Sequence, residues 1–129
     1  MDTTKYISDY NYSIVLPKDW AEYETDEENT NAFFDTVYWS GNLRITPLKH
    51  KIENSENFFA NEISEKVKWS KIQGIFYIQK SETDTIYFWE LSQNEKLFLC
   101  SFTLGEVEEE KIDGEIEKVQ NILKTIVTE

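Results

Sequence analysis

One histidine, one cysteine and one glutamate inside an aromatic run are the residues here whose types could do chemistry. His50 lies between Lys49 and Lys51, near the expected end of a strand. With no second histidine, a Cys–His or Ser–His relay would have to be built around His50 alone. It reads as a solvated surface imidazole. Cys100 sits in Leu97-Phe98-Leu99-Cys100-Ser101-Phe102, where a thiol behaves as a small hydrophobe. A reactive thiol needs a neighbouring base and exposure, and this run offers neither. As the only cysteine it can form no internal disulfide. Glu90 falls in Tyr87-Phe88-Trp89-Glu90-Leu91, and alternation places it on the face of Ile86 and Phe88. Either that face is partly wet, or Glu90 pairs with a base such as Lys80 or Lys96. With 25 acids, some carboxylate pair is always available for glycoside chemistry.

Metal and phosphate chemistry find less. Zinc sites draw on clusters of Cys and His, and there is one of each. Asp26-Glu27-Glu28-Asn29-Thr30-Asn31 carries oxygen ligands, but lacks the central glycine and distant glutamate of a calcium loop. Four glycines in total form no phosphate-cradling loop. No catalytic residue, metal site or cofactor is assigned, and the expectation is a protein that is not an enzyme.

Two acidic clusters remain. Glu106, Glu108, Glu109 and Glu110 precede the last amphipathic segment, where carboxylates favour a helix N-terminus. Glu22, Glu24, Asp26, Glu27 and Glu28 fall in an expected loop over 22–31, with no such explanation. They are the candidate contacts for a basic protein.

The whole chain agrees with that emphasis. A formal charge of −12, from 25 acids against 13 bases, argues against binding phosphate backbones by counterion release. It argues equally against docking on an anionic membrane. It favours solubility and steering toward a basic partner. No apolar stretch reaches membrane-span length, and Met1 to Tyr6 lacks a signal peptide's basic and apolar regions. The default compartment is the cytoplasm, with a leader removed earlier left open. At 129 residues the chain reads as a single domain, 1–129, with an aromatic share of 15% that suits strands.

The elements that must position these residues follow from periodicity. Tyr10, Tyr12, Ile14 and Leu16 alternate on one strand face, which Pro17 ends. Runs at 32–40 and 43–49 flank Gly41-Asn42, a two-residue hairpin signal with glycine supplying a positive φ. In the first run Phe33, Val37 and Trp39 share a face. Phe59, Ile63 and Val67, with Phe58 beside them, predict an amphipathic helix over 55–69, capped by Asn54 or Ser55. Strands follow at 74–80, 85–92 and 96–104, the last two joined at Gln93-Asn94-Glu95. Ile112, Ile116, Val119, Leu123 and Ile126 predict a final helix, weakened by Gly114. The expected fold class is α+β, a mainly antiparallel sheet in the order β-β-β-α-β-β-β-α with the helices packed on it.

Tyr12-Ser13-Ile14-Val15-Leu16-Pro17-Lys18-Asp19-Trp20 resembles the opening strand of the PsbP-like superfamily. The glycine-led hairpin and the closing Ile122-Leu123-Lys124-Thr125-Ile126 are similar to that group as well. Its members include a photosystem II extrinsic subunit, a Ran-binding nuclear transport factor and uncharacterised bacterial domains, which this chain resembles most. The resemblance implies a fold and a habit of binding proteins, with no shared catalytic residues to transfer. The leading expectation is a protein-binding module, an adaptor or chaperone for a secreted or toxic protein. An immunity protein masking a basic toxin, or a carrier of a small apolar ligand, is the alternative.

Overall fold

The computed structural model describes residues 3–48 and 64–128. Among these residues ten strands are laid out in chain order. They are β1 (Thr3–Ile7), β2 (Tyr12–Pro17), β3 (Trp20–Tyr23), β4 (Asn31–Asp35) and β5 (Gly41–Leu48), then β6 (Ser64–Trp69), β7 (Ile72–Lys80), β8 (Thr85–Gln93), β9 (Lys96–Leu104) and β10 (Val127–Thr128). A helix, α1 (Glu109–Leu123), precedes β10. Seven strands form one sheet in the order β3-β4-β5-β9-β8-β7-β6, and β1-β2-β10 form a second. Every described pairing is antiparallel.

The core lies between the sheets and the helix. Tyr12, Ile14 and Leu16 of β2 are buried, as their alternation requires. They meet Leu43 and Ile45 of β5, Trp89 and Leu91 of β8, and Phe98, Cys100 and Phe102 of β9. Tyr12 and Phe98 pack edge to face with centroids 5.4 Å apart. Ile116, Val119 and Leu123 bring one face of α1 onto this core, and Trp89 Nε1 donates to Gln120 Oε1 at 3.3 Å. Among the described residues no helix is long and apolar enough to cross a membrane.

The α+β order β-β-β-α-β-β-β-α, with helices packed on the sheet, is overturned. Among the described residues strands dominate and one helix is present. Of the expected helix over 55–69, residues 64–69 are strand β6. Asn54, Ser55, Phe58, Phe59 and Ile63 lie outside the described residues. The physical reason is an ambiguity of period. A spacing of four is a multiple of two, so it places residues on one strand face as well as on one helix face. In β6, Val67 and Trp69 turn inward between exposed Lys66 and Lys68, and the strand pairs with β7 from Ser64↔Tyr77 to Trp69↔Ile72. Three short strands also went unexpected: β1, largely exposed and without alternation; β3, which takes Trp20–Tyr23 and with them Glu22 out of the loop; and β10, which follows Ile126, a residue expected in the helix but lying past its end at Leu123.

The Gly41-Asn42 turn is corrected too. β4 and β5 do form a hairpin, with Phe33 opposite Leu43, but residues 36–40 make its loop. Gly41 and Asn42 already belong to β5, opposite Leu104 and Thr103, and Gly41 has no positive φ. The glycine answers to space instead. A Cβ there would sit 2.6 Å from the Phe102 ring and against the Thr103 carbonyl. Val37 and Trp39 therefore do not share a buried face with Phe33; they are 76% and 50% exposed, while Phe33 is fully buried.

Candidate functional site

The candidate acids gather at one end of the seven-stranded sheet. Glu22 is an exposed residue of β3 paired opposite Phe33, and Glu24, Asp26, Glu27 and Glu28 follow in the loop before β4. Asn29 reverses the chain there with φ 57°, a conformation asparagine tolerates better than most residues. The Glu27 amide donates to Thr25 Oγ1 at 3.3 Å, and the Thr30 and Thr46 hydroxyls lie 2.8 Å apart, fastening the loop to β5.

Two of the five acids have structural partners among the described residues. The Glu22 carboxylate accepts from the Tyr6 hydroxyl at 2.7 Å and from Asn31 Nδ2 at 2.9 Å. Asn31 Oδ1 in turn accepts from the Ser8 hydroxyl at 2.6 Å and the Tyr12 hydroxyl at 2.7 Å. One network thus ties β1, β2, β3 and β4 together. Partial burial, then the hydrogen bond to Glu22, push the Tyr6 phenol up from its usual range. Glu27 pairs with Arg44 at 3.1 Å, an exposed contact worth well under about 1 kcal/mol. Glu24, Asp26 and Glu28 are exposed and have no side-chain hydrogen bond or ion pair among the described residues. Glu22, Glu24, Asp26 and Glu27 line a polar cleft of about 380 Å³, to which the β1–β2 turn adds Asp9 and Tyr10.

The other sequence candidates lie elsewhere. Glu90 is 7% exposed, on the sheet face opposite Trp89. Lys96, one of the bases expected to pair with it, directs its ammonium to the carbonyls of Tyr10 and Asn11, at 3.0 and 3.2 Å. Cys100 is fully buried between Ile45 and Trp89, and burial pushes its thiol up from the usual 9.0. Glu109 and Glu110 occupy the first turn of α1, next to Glu108 at the cap. His50 lies outside the described residues. Among the described residues no group of three or more His, Cys, Asp or Glu side chains is placed to hold a metal.

Sequence reasoning missed a second surface, the β4–β5 loop. Asp35 Oδ1 accepts from the amides of Val37 and Tyr38 at 2.9 and 3.0 Å, and the Trp39 indole donates to Asn42 Oδ1 at 2.9 Å. Lys111 and Lys118 lie over the Tyr38 ring. The result is an exposed but held apolar tip of Val37, Tyr38 and Trp39. It stands at the far end of β4 from the acids, roughly 17 Å away for a five-residue strand. The signal was the Asp35 to Ser40 stretch itself, where an aspartate can cap two following amides and stop a strand.

A family model described as Domain of unknown function (DUF3805) matches residues 1–127. The chain belongs to the DUF3805 family. This DUF3805 chain is also similar to solved structures. A crystal structure from Bacteroides thetaiotaomicron VPI-5482 matches at 22% identity and TM-score 0.76, over 100% of this chain and 49% of that one. The chain therefore spans about half the length of the Bacteroides protein. The solution structure of cyanobacterial PsbP from Synechocystis sp. PCC 6803 matches at 10% identity and TM-score 0.55, over 99% of this chain and 93% of that one. The fold of this DUF3805 chain is PsbP-like, and its resemblance to an uncharacterised bacterial domain holds. No curated protein matches the sequence.

Proposed function

We propose that this DUF3805 chain is a non-enzymatic protein-binding module that engages a basic partner through its acidic turn end, as an adaptor or chaperone. The observation that carries the reading is the cleft beside the β3–β4 loop. Glu24 and Asp26 line it, with Glu28 in the same loop, and among the described residues no side chain pairs with these carboxylates. Unpaired carboxylates on a fastened loop steer a cationic surface and fix its register more than they add raw affinity. Burial of Cys100 supports the non-enzymatic half of the reading, because a buried, protonated thiol is a poor nucleophile.

The test compares the parent with a Glu24→Lys, Asp26→Lys, Glu28→Lys variant, which spares the structural Glu22 and Glu27. A basic protein captured from native cells by the parent should be lost from the variant. With that partner purified, association should slow in the variant, and added salt should shrink the difference. Equal association rates at low salt would sink the reading. An immunity role is the same geometry with a toxin as partner, and inhibition of that toxin's activity would single it out.

A second reading, carriage of a small apolar ligand, draws on a groove of about 610 Å³ between β6, β7, β8 and α1. Val67, Trp69, Phe76, Tyr87 and Ile116 contribute apolar surface to it. Binding of a long-chain fatty acid that changes tryptophan emission in the parent and not in a Phe76→Glu variant would favour this reading. No change in the parent would remove it.

A further inference from the structure

Beside the acidic cleft lies a second one, of about 420 Å³, within the range of preformed ligand pockets. Three turns and two strand ends close around it: Asp9–Asn11 between β1 and β2, Asn29 before β4, Asn94-Glu95 between β8 and β9, Lys96 opening β9, and Pro47-Leu48 ending β5. Buried Pro47 and half-buried Leu48 supply apolar surface, and half-buried Tyr10 adds an aromatic wall. Asn11, Asn29 and Asn94 add carboxamides.

The cleft is built before any ligand arrives. Lys96 Nζ ties the β8–β9 turn to the β1–β2 turn through the Tyr10 and Asn11 carbonyls. Asn94 Nδ2 donates to Thr128 Oγ1 at 3.1 Å, anchoring the same turn to β10. Five described non-glycine residues have a left-handed backbone, and four of them line this cleft: Asn11 at φ 68°, Asn29 at 57°, Asn94 at 50° and Glu95 at 67°. Asparagine enters that region readily, but a glutamate there is uncommon and is held by its surroundings.

The chemistry names an occupant. Apolar surface in a cleft accepts one aliphatic or aromatic side chain. A carboxamide offers a donor and an acceptor together, the complement of a peptide group. Asp9 and Tyr10 line both clefts, so residues flanking the anchor in an extended segment reach the carboxylates next door. Charge complementarity makes those neighbours lysine or arginine, with the Tyr10 ring as a further cation surface. We infer that the paired clefts bind an extended segment of the partner, with an apolar anchor at Pro47-Leu48 and a flanking Lys or Arg beside Glu24 and Asp26. This rests on the protein-binding reading above and adds the element that is recognised. An anchor in a pocket with a polar rim is also how a few residues come to dominate an interface.

Three capped pentapeptides titrated into the 15N-labelled chain test the inference: Gly-Lys-Phe-Lys-Gly, the same with Phe replaced by Gly, and the same with both Lys replaced by Glu. The first should shift the side-chain amide signals of Asn11, Asn29 and Asn94, and the other two should bind at least tenfold more weakly. Leu48→Asp should weaken the first peptide at least tenfold, whereas Trp39→Ser, at the opposite end, should leave it unchanged. Equal affinity for all three peptides, shifts confined to other surfaces, or no shifts at all would overturn the inference. Loss of partner capture on reversing Glu24, Asp26 and Glu28, with no peptide bound, would leave the protein-binding reading standing and remove only the extended segment. Peptide binding with unaltered partner capture would do the reverse.

Discussion

Asn31 accepts two hydroxyl hydrogen bonds on one carboxamide oxygen while its nitrogen donates to Glu22, and all of this happens at a buried position. Replacing it by leucine would strand the Ser8 and Tyr12 hydroxyls, and each stranded buried group costs about 1–3 kcal/mol. Asn31→Leu should therefore lower the unfolding free energy by about 2 kcal/mol or more in urea titrations. Asp26→Ala, which breaks no described contact, should stay within about 0.5 kcal/mol of the parent. A second expectation at this scale concerns alkali. Burial raises the Cys100 thiol from its usual 9.0 and the Tyr12 phenol from 10.0, and with Glu22 it raises Tyr6. In the unfolded chain these groups ionise at their ordinary values while the native forms stay protonated. The native state then holds more protons, so stability falls as pH rises past about 9. The urea midpoint should drop steadily from pH 8 to pH 11, and native Cys100 should label with a thiol reagent only on unfolding. A flat midpoint or rapid native labelling would contradict the burial account.

At the scale of elements, two glycines separate two reasons for having no side chain. Gly41 lies in β5 under the Phe102 ring and the Thr103 carbonyl, so Gly41→Val should destabilise by about 1–3 kcal/mol through overpacking. Gly114 sits inside α1 with open space where its Cβ would be. Gly114→Ala should stabilise by about 0.5–1 kcal/mol, since alanine removes the entropic cost of glycine in a helix without meeting a neighbour. Thermal unfolding of both variants reads the two opposite signs. The β8–β9 hairpin carries its own turn chemistry, because Asn94 and Glu95 both take positive φ between the paired Gln93 and Lys96. That two-residue geometry matches the twist of the flanking strands.

Across the whole molecule, charge is uneven as well as large. The −12 excess leaves like charges crowded at the turn end, where Asp9, Glu22, Glu24, Asp26 and Glu27 line one cleft. Self-repulsion of this kind destabilises the compact state and is screened once the Debye length shrinks to about 8 Å at physiological salt. Raising sodium chloride from about 0.01 M to about 0.15 M should thus raise the urea midpoint. The Glu24→Lys, Asp26→Lys, Glu28→Lys variant should gain less from salt than the parent. An equal gain would mean that the loop carboxylates are too well solvated to repel one another.

Periodicity by itself determined β2, β8, β9 and the helix near the C-terminus, because each has a buried face whose spacing admits one period. Ile116, Val119 and Leu123 cannot share a strand face, and Tyr12, Ile14 and Leu16 cannot share a helix face. Composition likewise placed Cys100 in the core and the acids of 22–28 on the surface. Where the local pattern was degenerate, only the tertiary structure decided. Val67 fits either period, and pairing with β7 makes it a strand residue. Gly41 suits a turn or a crowded strand, and the approach of β9 makes it the second. Glu22 looked like one loop acid among five until β1 and β4 brought Tyr6 and Asn31 to its carboxylate. The paired clefts were illegible for the same reason. They are assembled from turns as far apart in sequence as Tyr10 and Lys96, and proximity across a sheet is a product of strand order, which no local spacing encodes.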